Sequence, residues 1–203
     1  MTPKKPTAIL ISGNGSNMMA LIEAARAPGF PAQVALVISN VESAAGVEKA
    51  RAAGVPVTIL SHKGFAGREA FDMAIDEALT AAGIALVCEA GFMRIHSDGF
   101  TRKWEGRLLN IHPSLLPAFK GIRVHQQVLA AGVPESGCTV HFVVAELDSG
   151  PIVAQARVPV LPGDTVETLG ARVQVEEHRI YPQALRDVAA GRVVLRDGRA
   201  VTL

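Results

Sequence analysis

The chain has 203 residues, 49% of them hydrophobic and 19% charged, with a formal net charge of +1. That composition belongs to a folded globule, excludes a largely disordered chain, and allows one α/β domain with a substantial core. A charge this close to zero argues against broad adhesion to nucleic acid, although a local patch could still hold one anion.

The basic start, Met1-Thr2-Pro3-Lys4-Lys5-Pro6, leads into an apolar run too short for a secretion signal, and no window approaches the length of a membrane span. Residues 8–11 read as a buried strand. A helix follows from Ser16, whose hydroxyl can cap it, to about residue 26. Residues 33–38 form a second strand, 43–53 a second helix closed by Gly54, and 55–60 a third strand. A longer amphipathic helix over 68–82 ends at Gly83, and strands follow at 84–88 and 107–111. This alternation implies a parallel sheet with helices on both faces.

The second half changes character. A helix near 125–131 ends at Gly132, then strands at 138–145 and 152–160 flank Glu146-Leu147-Asp148-Ser149-Gly150-Pro151. Their short separation and turn residues predict an antiparallel pair. Residues 165–190 read as one helix with a bend near Pro182, and 193–195 with 200–203 as a hairpin around Asp197-Gly198. No repeat, low-complexity tract or linker interrupts the pattern, so residues 1–203 are expected to form one domain. Cys88 and Cys138 lie in apolar runs without CxxC spacing. Free thiols in a reducing cytoplasm are the plain expectation, not a zinc site or a disulfide.

Two places carry chemistry. Ser12-Gly13-Asn14-Gly15-Ser16-Asn17 joins a strand to a helix start, where free N–H groups and the helix dipole favour an anion. A dinucleotide fingerprint would need glycine at Met18 and an acid near Ser39-Asn40; a P-loop would need Gly-Lys-Ser/Thr. What remains is a site for a single phosphate, such as a sugar monophosphate, or a tight turn with a helix cap.

The second place is Asn110-Ile111-His112-Pro113-Ser114-Leu115-Leu116-Pro117, where an apolar strand runs into a loop stiffened by prolines. Asn110 and His112 are two apart and share one strand face, offering a neutral donor and a titratable acid/base. Loops at the carboxyl ends of parallel strands gather on one edge, so Asp148 could join them there. An amide, an imidazole and a carboxylate can stabilise an oxyanion and move protons between an amine and a leaving group. The plainer alternative is a histidine hydrogen-bonded in its loop and an aspartate capping a turn.

No Gly-x-Ser-x-Gly nucleophile elbow is present. His112, His125, His141 and Asp148 lack close ligand spacing, so no metal is expected. His62, His178, Lys120 and Arg123 read as ordinary surface or loop residues, and Glu177 as part of a solvated helix face. Arg94 follows the fourth strand on the functional edge.

Four motifs together carry a family resemblance: Ile11 to Asn17, Ala90-Gly91-Phe92-Met93-Arg94-Ile95, Asn110 to Pro117, and Glu146 to Pro151. In this order they resemble the phosphoribosylglycinamide formyltransferases, the folate-dependent transformylases of purine synthesis, over residues 7–195. The resemblance implies a Rossmann-like formyltransferase fold: a parallel sheet in the N-terminal half, extended by antiparallel strands in the C-terminal half. It implies that the glycinamide amine attacks the formyl carbon of 10-formyltetrahydrofolate through a tetrahedral intermediate. It makes Asn110 and His112 the oxyanion partners, His112 the general acid, and Asp148 the organiser of proton transfer. Gly15, Ser16 and Asn17 would hold the ribonucleotide phosphate, and Glu177 matches a position contacting the glycinamide substrate. Arg68, Met93, Arg94, Ile95 and His96 match folate-contacting positions. Val144, Ala145, Glu146, Leu147 and Asp148 match a loop that closes over the pterin, with Asn110 beside it. The implied partners are small molecules, with no nucleic acid or membrane; a homodimer is compatible with the reading.

Two residues depart from the pattern. His96 stands where leucine is usual, and Glu89 where an apolar residue is commoner. If position 96 binds through its backbone, folate binding survives; if its side chain packs on the pterin, folate affinity differs. Methionyl-tRNA formyltransferases carry an extra C-terminal domain, for which 203 residues leave no room, and formyltetrahydrofolate deformylases an extra N-terminal one. A non-catalytic binding module is disfavoured by the intact Asn110, His112 and Asp148, and a dinucleotide-dependent oxidoreductase by Met18.

Overall fold

A computed structural model describes residues 3–203; Met1 and Thr2, at the basic start noted above, lie outside the described residues. Its centre is a seven-stranded sheet in the order β3-β2-β1-β4-β5-β6-β7. These strands are β1 (Lys5–Ile11), β2 (Ala32–Ser39), β3 (Val57–Ile59), β4 (Leu86–Glu89), β5 (Leu108–His112), β6 (Glu135–Phe142) and β7 (Ile152–Pro159). Neighbours from β3 through β5 run parallel, whereas β6 and β7 are antiparallel additions at one edge. The half-parallel, half-antiparallel sheet is the expected architecture.

The helices are α1 (Ser16–Arg26), α2 (Ala45–Ala52), α3 (Arg68–Ala81), α4 (Asp98–Lys103), α5 (Val124–Ala131) and α6 (Val166–Ala189). A hairpin of β8 (Val193–Arg196) and β9 (Arg199–Thr202) follows. Alternation along the strands splits the core in two. Ile9, Ile11, Cys88, Leu109 and Ile111 pack under α1, α5 and α6. Ala8, Leu10, Val87 and Leu108 face the other way, toward Phe71, Ile75 and Leu79 of α3 and Phe100 of α4. Tyr181 of α6 is fully buried, and its hydroxyl reaches the carbonyls of Glu89 (3.0 Å) and Leu109 (3.2 Å). The longest helix is thereby fixed to the two strands that end at the site. No helix among the described residues is long and apolar enough to cross a membrane.

Several boundaries differ from expectation. Ser16 does not cap α1: Gly15 is the N-cap, at φ +74°, and no side chain caps the helix. The second helix begins at Ala45, two residues late and also without a side-chain cap. β6 starts at Glu135 and stops at Phe142, so residues 143–145, expected as strand, leave the sheet. α4 was not foreseen. It has six residues, too few for a helical period to register, and its start signal is the Ser97 hydroxyl accepting from Phe100 N–H.

Candidate active site

The carboxyl ends of β1, β4 and β5 open onto one edge, as parallel topology requires. At the end of β1, residues 12–17 surround a cavity of about 240 Å³ with Ala90, Gly91 and Met93. Gly15 is required there twice. Its φ is left-handed, and a Cβ would stand 2.9 Å from Gly46 Cα. Lys49 donates to the Asn14 carbonyl at 2.9 Å and to its side-chain oxygen at 2.5 Å, bracing the loop from α2. Because no side chain caps α1, its first N–H groups remain available to an anion.

Helix α6 reaches across to the same loop. Gln174 donates to Ser16 Oγ at 2.9 Å, and Asn17 Nδ2 donates to Glu177 Oε2 at 2.8 Å. The expectation of a solvated Glu177 is therefore wrong: it is buried, because its helix face packs on α1. Burial pushes its carboxyl above the usual range, and the Asn17 amide offsets part of that.

A larger cleft, about 630 Å³, opens beside this cavity and shares Gly91 and Met93 with it. Met93, Arg94, Ile95 and His96 line one side, and Val144, Ala145, Glu146, Leu147 and Asp148 another. Asn110, His112 and His141 lie at its base, and Met93, Ile95, Ile122 and Leu147 put exposed apolar side chains at its walls. An apolar cleft with a few convergent polar groups suits a flat, partly aromatic ligand. Arg68 does not line this cleft; it begins α3 in a neighbouring groove that also holds Asp72 and Phe100.

Strand register places the polar row. Glu89 of β4 pairs with Asn110 of β5, which pairs with His141 of β6, and His112 lies two residues on, so all four project from the same sheet face. Burial holds the His141 ring below the usual histidine pKa, despite the Phe142 carbonyl and the Asp148 and Glu89 carboxylates. A neutral ring explains its contacts: Nδ1–H donates to Phe142 O at 2.9 Å, and Nε2 accepts from Asn110 Nδ2 at 3.2 Å. Asn110 keeps its second amide hydrogen free for the cleft.

Asp148 meets this row from the turn. Its backbone is left-handed, φ +48°, a conformation aspartate tolerates better than most residues. Its Oδ2 accepts Gly121 N–H at 2.8 Å and lies 3.5 Å from His112 Nδ1, while Oδ1 is 3.9 Å from His141 Nε2. His112 Nε2–H donates to the Phe119 carbonyl at 2.9 Å. The structure thus brings the distant Asp148 to the Asn110 and His112 pair.

Sequence reasoning missed the supports of this loop. Thr139 of β6 donates to Ser114 O (2.6 Å) and accepts Leu116 N–H (3.1 Å), and Gln155 of β7 donates to Leu116 O (2.9 Å). The Leu116–Pro117 peptide is cis. His141 had been weighed only as a metal ligand; its pairing with Asn110 follows from register, which no single strand reveals.

The profile of the formyl transferase family matches residues 5–185 of the chain. The chain belongs to this family. It is 44% identical over 192 residues to the phosphoribosylglycinamide formyltransferase of Escherichia coli (strain K12), covering 95% of this chain and 91% of that protein. It is 55% identical over 194 residues to the trifunctional purine biosynthetic protein adenosine-3 of Bos taurus, but spans only 19% of that protein's length. Among solved structures, glycinamide ribonucleotide transformylase 1 from Symbiobacterium toebii superposes with a TM-score of 0.95 at 48% identity, over 98% of this chain and 94% of that one.

Proposed function

We propose that the chain transfers the formyl group of 10-formyltetrahydrofolate to the amine of phosphoribosylglycinamide. One observation carries this reading: Asn110, His112 and Asp148 converge in an apolar cleft that shares Gly91 and Met93 with the cavity at an uncapped helix start. The cleft takes the folate, with Met93, Arg94, Ile95 and His96 on one wall and residues 144–148 on the other. The α1 N-terminus at Gly15, Ser16 and Asn17 takes the phosphate. Glu177, held by Asn17, is an acceptor for donors on the same substrate. Arg68, in the adjoining groove, offers a cation to the folate's carboxylates.

In the reaction the amine nitrogen bonds to the formyl carbon, and the carbonyl electron pair moves onto oxygen. The free hydrogen of Asn110 and an N–H of His112 stabilise that oxyanion. His112 Nε2 becomes available when the substrate replaces the Phe119 carbonyl. The amine then loses a proton, N10 of the folate gains one, and the bond from carbon to N10 breaks. His112 delivers a proton to the leaving nitrogen, and Asp148 orients His112 and takes up the proton that the amine releases. The partners are therefore small molecules, and the buried free thiols Cys88 and Cys138 suit a reducing cytoplasm.

The test mixes pure protein, phosphoribosylglycinamide and 10-formyltetrahydrofolate and follows tetrahydrofolate release by absorbance. Turnover that requires the amine is expected; no amine-dependent turnover overturns the reading.

A further inference from the structure

The two residues that depart from the family pattern, Glu89 and His96, explain each other. His96 Nε2 stands 2.7 Å from Glu89 Oε1, and His96 Nδ1 is 2.7 Å from Asp72 Oδ1 on α3. Asp72 Oδ2 also accepts Ser97 N–H at 2.5 Å. The imidazole lies between the rings of Phe92 and Phe100, with centroids 5.4 and 4.2 Å away and interplanar angles of 18° and 19°. All three ionisable groups are buried, at 3–6% exposure. Glu89 without His96 would be a buried charge without its partner; together with Asp72 they close a cluster.

The cluster grips a segment that has little else to hold it. Residues 92–97 form no helix or strand, so they have no ladder of backbone hydrogen bonds. Near one end, Met93 N–H donates to Ser12 Oγ at 2.8 Å. At the other end the attachments are His96 and Ser97. Between them, Met93, Arg94 and Ile95 expose their side chains along the cleft wall.

We propose that Glu89, His96 and Asp72 form a positioning clamp that sets the folate-side wall of the cleft, and with it folate affinity, without acting on the ribonucleotide subsite. The clamp rests on the formyl-transfer reading above. A carboxylate beside each ring nitrogen favours hydrogen on both, the imidazolium form. Burial opposes that charge, but Asp72 and Glu89 outweigh it and raise the His96 pKa to about 9. Those carboxylates are the charged groups facing the ring, from α3 and β4; the loop and α4 present Phe92 and Phe100, which do not titrate. The proton on His96 therefore acts as an effector of folate binding, and the two are reciprocally linked.

The test measures, by calorimetry under anaerobic conditions, the affinities of tetrahydrofolate and of phosphoribosylglycinamide from about pH 7 to 10. In the wild type, tetrahydrofolate affinity should fall about fivefold or more as pH passes about 9, while ribonucleotide affinity stays level through the same step. Glu89→Gln keeps the contact but removes one charge, so the step should move to lower pH. The double variant Glu89→Leu/His96→Leu removes the mutually dependent pair together and should abolish the step. An unmoved step in Glu89→Gln, a persisting step in the double variant, or a parallel loss of ribonucleotide affinity would each overturn the clamp. If the wild type binds no tetrahydrofolate at any pH, the formyl-transfer reading fails first and the clamp with it.

Discussion

Two polar clusters share one face of the sheet, and they are built to opposite rules. Around Asp72, His96 and Glu89 both ring nitrogens meet carboxylates at 2.7 Å, and aromatic rings cover both faces of the imidazole. All three groups are buried and lie close together. Among the Asn110, His112, His141 and Asp148 side chains the contacts run from 3.2 to 3.9 Å, and Asn110 retains an unused donor. A closely packed cluster fixes a position, whereas a looser one can tighten around a reacting group. On the proposed function the contrast separates holding from reacting, although both clusters set histidine beside a carboxylate.

The sharpest break should come at the loose cluster. Asp148→Asn keeps the shape but removes the charge beside His112, and turnover should fall by about 10²- to 10⁴-fold, the usual contribution of acid–base catalysis. Ribonucleotide KM should change little; initial rates varied against each substrate check both. The tight cluster should respond in stability instead. His96→Leu strands two buried carboxylates, at a cost of about 3–5 kcal/mol and a Tm lower by roughly 6–20 °C in a thermal melt. Glu89→Leu/His96→Leu should recover part of that loss, since Asp72 alone then lacks its partner.

The tight cluster also has a pH signature. Because the folded His96 pKa is raised to about 9, its stabilisation is complete below the ordinary histidine value and is lost as pH rises through about 9. Wild-type Tm should decline across that window, and the double variant should show no such decline. Smaller still is the effect expected at the loop before α1, the proposed phosphate site. Ser16→Ala/Asn17→Ala should raise ribonucleotide KM about 10- to 100-fold, the worth of one or two charge-assisted hydrogen bonds at about 1.5–3 kcal/mol in all, with kcat little changed. Tyr181→Phe should cost only about 1 kcal/mol in urea unfolding, since it removes one buried hydroxyl from the Glu89 and Leu109 carbonyls.

These regions differ in how far they could be read in advance. The loop before α1 is six consecutive residues between a strand and a helix, so its suitability for one anion is legible from local chemistry. The cleft walls were legible only through the family motifs, because they come from separated segments. Glu177 was misread as solvated since nothing within α6 tells which residues α1 will cover. Thr139, Gln155 and Gln174 carry no motif, and their roles exist only once β6, β7 and α6 have packed.

Hydrophobic periodicity and glycine punctuation along the chain were enough to determine the alternating elements, the parallel core with its antiparallel edge, and the grouping of strand ends that makes a site there reasonable. Tertiary structure alone decided the pairings: Asn110 with His141, Asn17 with Glu177, and Glu89 with His96 and Asp72. The physical reason is range. Backbone preference and helix starts act over a few residues, whereas a buried charge is made tolerable by whichever partner the fold brings within hydrogen-bond distance, however far away in the chain.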